Sequence, residues 1–317
     1  MHWVEKYRPK SLNEVTSQSN IIESLRKTLF TKNLPHLIFY GPSGCGKTST
    51  ILALAKELFG KEYWSDRIIE LNASDERGIN IVRDKIKMYA KKSIKYNPNI
   101  PPWKIIILDE ADTMTPDSQF ALRRIMEEYS NITRFCIICN YHDKIIEPII
   151  SRCSLFCFKP ISNINIINKL KFITLQEECI FNDNIFDKIC KYSRGDLRKA
   201  VNLLQNCNNS FSNEENEKLL DEMSGIIPKN KFNLLFKHIF NKDLLNVNKL
   251  IEELYIENYS LVNQIIYFHD FIIESKLDNE QKIKIINKIS DVDQNLIKGC
   301  DEYIQFVRLI YYIVSII

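Results

Sequence analysis

The sequence predicts an α/β domain with a parallel sheet in its first half and an all-helical remainder. Short β-rich runs alternate with helical stretches as far as Lys159-Pro160. Three of those runs are apolar at nearly every position, as parallel strands covered on both faces are. Beyond Pro160 only helical patterns continue. Strand, helix, strand repeated in this way describes a doubly covered parallel sheet.

The strand candidates, in order, are Leu37–Tyr40, Arg67–Leu71, Lys104–Leu108, Phe135–Cys139 and Leu155–Phe158. Between them lie the helical patterns Thr48–Leu58, Ile79–Ser93 and Asp117–Tyr129. From Ser162 to Asn206 the periodicity is helical, with Ile167, Leu170, Ile173 and Leu175 in one stretch and Ile185, Ile189 and Tyr192 in the next. The stretch Asn206–Lys218, rich in Asn, Ser and Glu, reads as a loop. After Pro228 come the amphipathic patterns Leu244–Tyr255, Leu261–Ile273 and Gln281–Ile289. Three regions follow: 1–160 α/β, 161–225 small and helical, 226–317 larger and helical.

Composition bounds the function. With 317 residues, 45% hydrophobic and 26% charged, the chain can bury a real core, which excludes disorder and a small disulfide scaffold. A net charge of +3 is too small for the whole chain to act as a polycation, so any nucleic-acid contact needs basic residues grouped on one face. The longest apolar run, Leu309–Ile317, is far shorter than the roughly 20 residues that cross a bilayer. The N-terminus has no signal-peptide core, so the nine cysteines read as free thiols in a reducing compartment. Cys136 and Cys139 form a C-x-x-C, but on a strand that spacing puts the sulfurs on opposite faces, against a metal pair.

Gly41-Pro42-Ser43-Gly44-Cys45-Gly46-Lys47-Thr48 follows an apolar strand and opens a helix. In that setting the glycines let successive backbone N–H groups turn toward phosphate oxygens, and the helix N-terminus, with Ser49 next in line, adds a favourable field. Lys47 bridges the outer phosphates and Thr48 holds Mg²⁺ in such a loop. A second apolar strand ends in Asp109-Glu110-Ala111-Asp112, delivering acids to the carboxyl edge of the sheet, where open parallel sheets bind ligands. Asp109 is placed to hold Mg²⁺ and its waters, and Glu110 to polarise the attacking water. Asn140 closes the next strand at the same edge; from spacing it is either a γ-phosphate contact or a turn residue. Arg152, just before the last strand, is either a surface ion-pair partner or a group reaching a neighbouring subunit's γ-phosphate.

Together these motifs resemble AAA+ P-loop NTPases, and within them the small subunits of the eukaryotic clamp loader, replication factor C. The likeness rests on Val4-Glu5-Lys6-Tyr7-Arg8-Pro9, Gly41–Thr48, Glu70–Gly78, Asp109–Asp112, Ser151-Arg152-Cys153, Gly195-Asp196-Leu197-Arg198-Lys199-Ala200, Gly225–Pro228 and Leu261–Gln264, nearly the whole chain. It implies an AAA+ α/β ATP-binding domain, a helical lid and an all-α collar for oligomerisation. Val4 and Arg8 would then border the adenine and phosphates, Asn140 would be the first sensor, Arg198 the second sensor, and Arg152 a finger acting on the adjacent subunit's ATP. Asn72 would be a switch restraining Glu110 until DNA is bound. The implied cofactors are ATP and Mg²⁺. The implied partners are other replication factor C subunits in a hetero-pentamer, a sliding clamp (proliferating cell nuclear antigen) and primer–template DNA, in the nucleus. Ser43 and Cys45 depart from the family's more usual Pro and Thr, and a helix N-terminus beside Lys47 is expected to lower the Cys45 thiol pKa.

Arg83, Lys87, Lys91 and Lys95 recur every four residues and so share one helix face, a basic stripe about 18 Å long. By spacing alone this is a solvated face; the resemblance implies DNA-phosphate contacts, best matched by Arg83 and Lys87. Two alternative readings are a non-hydrolysing subunit contributing only its finger and collar, and a homo-oligomeric AAA+ DNA motor.

Overall fold

The computed structural model describes residues 2–31, 33–73, 79–92, 100–208, 213–257 and 259–317, and leaves the side chains of 61, 79–83, 213–218 and 229 aside. Two compact units emerge, Met1–Asn209 and Ser210–Ile317.

The first unit begins with α1 (Trp3–Lys6) and α2 (Ser19–Thr31), then β1 (His36–Tyr40), α3 (Lys47–Arg67), β2 (Ile68–Asn72) and α4 (Ile79–Lys91). It continues with β3 (Lys104–Asp109), α5 (Pro116–Glu128), β4 (Thr133–Cys139), α6 (Glu147–Ile150) and β5 (Cys153–Cys157), and closes with α7 (Asn163–Gln176), α8 (Asp183–Ser193) and α9 (Leu197–Cys207). The five expected strands form one sheet in the order β2-β3-β4-β1-β5. Every pairing is parallel.

Alternating residues separate the two faces. Leu37, Phe39, Ile105, Ile107, Cys136 and Ile138 join one apolar cluster, while Ile38, Ile106, Leu108, Phe135, Ile137 and Cys139 join the other. Cys136 and Cys139 therefore lie on opposite faces, as their spacing on a strand requires. Helix α3 outruns its sequence pattern, because Gly60, at φ 69° and ψ 174°, lets two helical pieces follow one another through a break.

In α7 the inward residues are Ile166, Leu170 and Ile173, all fully buried, whereas Ile167 is half-buried and Leu175 is 77% exposed. The correct stripe runs i, i+4, i+7; the apolar neighbours Ile166 and Ile167 allow two phases, and packing selects the first.

The second unit is helical: α10 (Asn213–Ser224), α11 (Lys229–Phe240), α12 (Leu244–Ile256), α13 (Leu261–Glu274), α14 (Asn279–Ile297) and α15 (Glu302–Ile316). Helix α10 replaces much of the loop expected over 206–218. Its Glu and Lys residues are good helix formers, which outweighs the loop-like Asn and Ser. The unit divides from the first at 209/210, whereas composition separates three regions; α7–α9 stay with the sheet.

Phe268 is fully buried at the centre of this unit, its ring 4.8 Å from Phe232, 5.8 Å from Phe236 and 5.9 Å from Phe306. Phe268→Ala is expected to destabilise the C-terminal unit by about 3–5 kcal/mol through lost burial and the cavity left behind. Urea unfolding followed by circular dichroism reads the loss. Among the described residues no helix is long and apolar enough to cross a membrane.

Candidate nucleotide-binding cleft

The cleft forms at the carboxyl edge of the sheet, where β1, β3 and β4 deliver their C-terminal residues. Strand β4 lies between β1 and β3, so Asn140 sits between the glycine-rich turn and the acids. The lining includes Val4, Arg8, Ser43–Ser49, Asp109, Glu110, Asn140 and Arg198. Gly41 and Pro42 are absent from the lining, but their carbonyls hold Lys47 in place. Gly41, at φ +143°, lies against the backbone of Phe158, where a Cβ has no room.

Lys47 is buried at 8% exposure, and its Nζ donates to Gly41 O (2.6 Å), Pro42 O (2.8 Å) and Asn140 Oδ1 (3.0 Å). All three ammonium protons are thus held by neutral oxygens, which a phosphate can replace with ion-paired bonds. Thr48 Oγ1 donates to Asp109 Oδ2 at 2.8 Å, while Asp109 Oδ1 accepts from Glu110 N at 2.9 Å. A hydroxyl and a carboxylate meeting there are the hard oxygen donors that suit a small divalent cation.

Glu110 is exposed and adopts φ 53°, the left-handed region, at the start of the short turn Ala111–Thr113. A non-glycine residue is held in that region at a cost, and such strain gathers at functional sites. Asn140 N donates to Asp112 Oδ2 at 3.3 Å, so the last acid of the tetrapeptide fixes the end of β4.

Several residues of the cleft carried no clear sequence signal. Trp3 lines it from the N-terminal segment, beside Tyr7 of the Val4–Pro9 motif. That segment is anchored on the helices α7–α9: Trp3 N donates to Gln205 Oε1 (2.8 Å), and Glu177 accepts from Lys6 Nζ (2.7 Å) and Tyr7 Oη (2.5 Å). Lys169, from α7, also lines the cleft; burial lowers its pKa, with Glu14 opposing. A lone lysine on a helical stretch gives no pattern by which to find it.

The Cys45 expectation is corrected. The thiol is 1% exposed, and burial raises its pKa, outweighing the lowering effects of Lys47 and nearby backbone N–H groups. The helix-terminus argument assumed a solvated sulfur, and this one packs against Pro42 O at 2.9 Å.

Beyond Gly41 and Pro42, two more expected residues lie outside the cleft. Arg152 does not line it; Nη2 pairs with Glu127 Oε1 at 2.6 Å and Nη1 donates to Pro148 O at 2.7 Å. Asn72 ends β2 in register with Asp109 and does not line the cleft either.

On α4, Ile86 and Ala90 face the core, while Lys87 and Lys91 are exposed. The side chain of Arg83, and Lys95, lie outside the described residues. Lys104, at the start of β3, is buried at 1% exposure and donates Nζ to the carbonyls of Tyr89 and Lys92, tying down the end of α4. Burial brings its pKa down to about 8.

Known proteins match along the whole chain. Residues 37–161 match the ATPase family associated with various cellular activities (AAA), and 227–311 match the replication factor C C-terminal domain. Replication factor C subunit 2 of Schizosaccharomyces pombe is 44% identical over 313 residues, covering 97% of this chain and 92% of that protein. The chain belongs to the replication factor C family. Human replication factor C subunit 4 is 43% identical, with 97% of this chain and 86% of that protein covered. Replication factor C small subunit 1 of Pyrobaculum arsenaticum is 40% identical, with 98% and 93% covered.

Among solved structures, the RuvB Holliday junction branch migration motor of Thermotoga maritima superposes with a TM-score of 0.54 at 17% identity, covering 74% of this chain and 79% of that one. That likeness shows the AAA P-loop fold alone. Within the replication factor C family this chain is thus an AAA ATPase, and its fold is one that binds nucleotide.

Proposed function

We propose that this chain is an ATPase subunit of a hetero-oligomeric clamp loader, which uses ATP to open a sliding clamp and place it on primer–template DNA in the nucleus. The observation that carries this reading is the division of the catalytic groups. Lys47, Thr48, Asp109, Glu110, Asn140 and Arg198 share one cleft, while Arg152 is held outside it by Glu127. A site lacking its own finger gains one when a second protomer docks.

In this reading residues 1–160 bind ATP, 161–225 form the lid and 226–317 the collar. Lys47 and the backbone N–H groups of the glycine-rich turn grip the phosphates, and Val4 and Arg8 border the nucleotide. Thr48 and Asp109 hold Mg²⁺, which neutralises phosphate charge when bound. Glu110 takes the proton of the attacking water; Asn140 and Arg198 sense the γ-phosphate, with Asn72 the switch linking Glu110 to DNA. Lys87 and Arg83 contact DNA phosphates, which gives affinity without sequence reading.

The test uses the chain assembled with its sibling subunits. ATPase activity is expected to rise when the clamp and primed DNA are both supplied. Arg83→Ala with Lys87→Ala is expected to lower that stimulation and to reduce the salt slope of DNA binding by about 1–2. An assembly indifferent to clamp and DNA would contradict the reading.

A further inference from the structure

Ser43 lies in the phosphate loop, where the backbone rather than the side chain cradles phosphate. Its hydroxyl points elsewhere: Oγ donates to Asp196 Oδ2 at 2.7 Å. The other oxygen of that carboxylate, Oδ1, accepts from Lys199 N at 2.9 Å and caps helix α9. Beside it, Leu197 N donates to Gly44 O at 3.2 Å. Gly44, at φ +62°, faces the Asp196 carboxylate so closely that a Cβ has no space. The first turn of α9 is therefore bonded to the phosphate loop through both a side chain and the backbone, and Arg198 follows in that same turn.

We propose that Ser43 and Asp196 are positioning residues that latch α9 onto the phosphate loop, holding Arg198 over the cleft and slowing nucleotide release. This rests on the reading of the cleft as the nucleotide site. Asp196 caps α9 whatever residue stands at 43, so removing the Ser43 hydroxyl breaks the latch and spares the cap. Opening the lid to free a nucleotide must break this bond. The bond is charge-assisted, which strengthens it, and sits at a solvent-exposed edge, which weakens it.

The test is stopped-flow release of a fluorescent ATP analogue from the full-length chain with magnesium present. Ser43→Ala is expected to speed release about three- to tenfold. Ser43→Thr, which keeps the hydroxyl, is expected to restore the slower rate. In an Arg198→Ala background, Ser43→Ala is expected to add nothing, because the latch acts through that arginine; a role in loop stability alone would still show its effect there. Unchanged melting temperatures exclude a folding defect. Release unaltered by Ser43→Ala, or accelerated equally in the Arg198→Ala background, would overturn the latch while leaving the nucleotide site standing. If the unmodified chain gives no binding signal, the nucleotide reading falls and the latch with it.

Discussion

Replacing Arg152 with alanine is expected to slow ATP turnover in the adjacent subunit by about 10³–10⁵-fold, the range an arginine supplied in trans contributes to phosphoryl transfer. This chain's own nucleotide affinity should not change, because Arg152 does not line its cleft. The guanidinium is already oriented: Glu127 holds Nη2, Pro148 O holds Nη1, and Arg123 Nε braces the same Glu127 oxygen at 3.0 Å. With five N–H donors in a rigid fork, two such bonds leave three to meet a phosphate brought by a neighbour. Arg123 and Arg152 together hold the Glu127 carboxyl below the usual range, so it stays an anion. The measurement is single-turnover hydrolysis in an assembly whose only competent site is the neighbour's. A normal rate there, or loss of ATP binding by the isolated variant, would remove Arg152 from this role.

The second large effect is expected at Glu110. Glu110→Gln keeps the shape of the side chain but cannot accept a proton, and general-base catalysis typically contributes about 10²–10⁴-fold. Turnover at this chain's site should fall by that factor while ATP affinity stays within about twofold, since the proposed phosphate grip lies with Lys47 and the loop backbone, not with Glu110. The left-handed backbone at this residue is equally accessible to Gln, so folding is spared. Hydrolysis is read in an assembly whose other phosphate loops are disabled. Parent-like turnover would mean that Glu110 is not the base. Failure of both variant and parent to hydrolyse would favour the subunit that binds nucleotide without cleaving it.

Much of the sheet, and the gathering of Lys47, Thr48, Asp109, Glu110 and Asn140 at its carboxyl edge, was legible in the sequence because both depend on local signals. Runs such as Ile105–Leu108 are apolar at every position and hence doubly covered strands, and Asp109 and Asn140 stand at the C-terminal ends of β3 and β4. Resemblance supplied what spacing left open for Asn140 and Arg198, and the cleft brings both together with Lys47.

What was not legible depends on burial and on distant partners. Cys45 was expected to be an activated thiol because its neighbours were visible and its burial was not. The pairing of Ser43 with Asp196 joins residues 153 positions apart, and no periodicity announces it. Lys169 and Trp3 reach the cleft only because α7 and α1 fold back beside the sheet's edge. In α7 two adjacent isoleucines made the helical phase ambiguous, and in α10 the polar composition concealed a helix.

The placement of β4 between β1 and β3 has a metric consequence. Adjacent strands are spaced by their ladder hydrogen bonds at about 4.8 Å, so the turn after β1 and the acids after β3 stand roughly 9.6 Å apart at backbone level. That interval acts as a ruler: it sets the reach between the glycine-rich turn and the acids, with Asn140 at the end of the strand between them. Its length is dictated by main-chain geometry, so no side-chain exchange along the three strands can shorten it while their order persists.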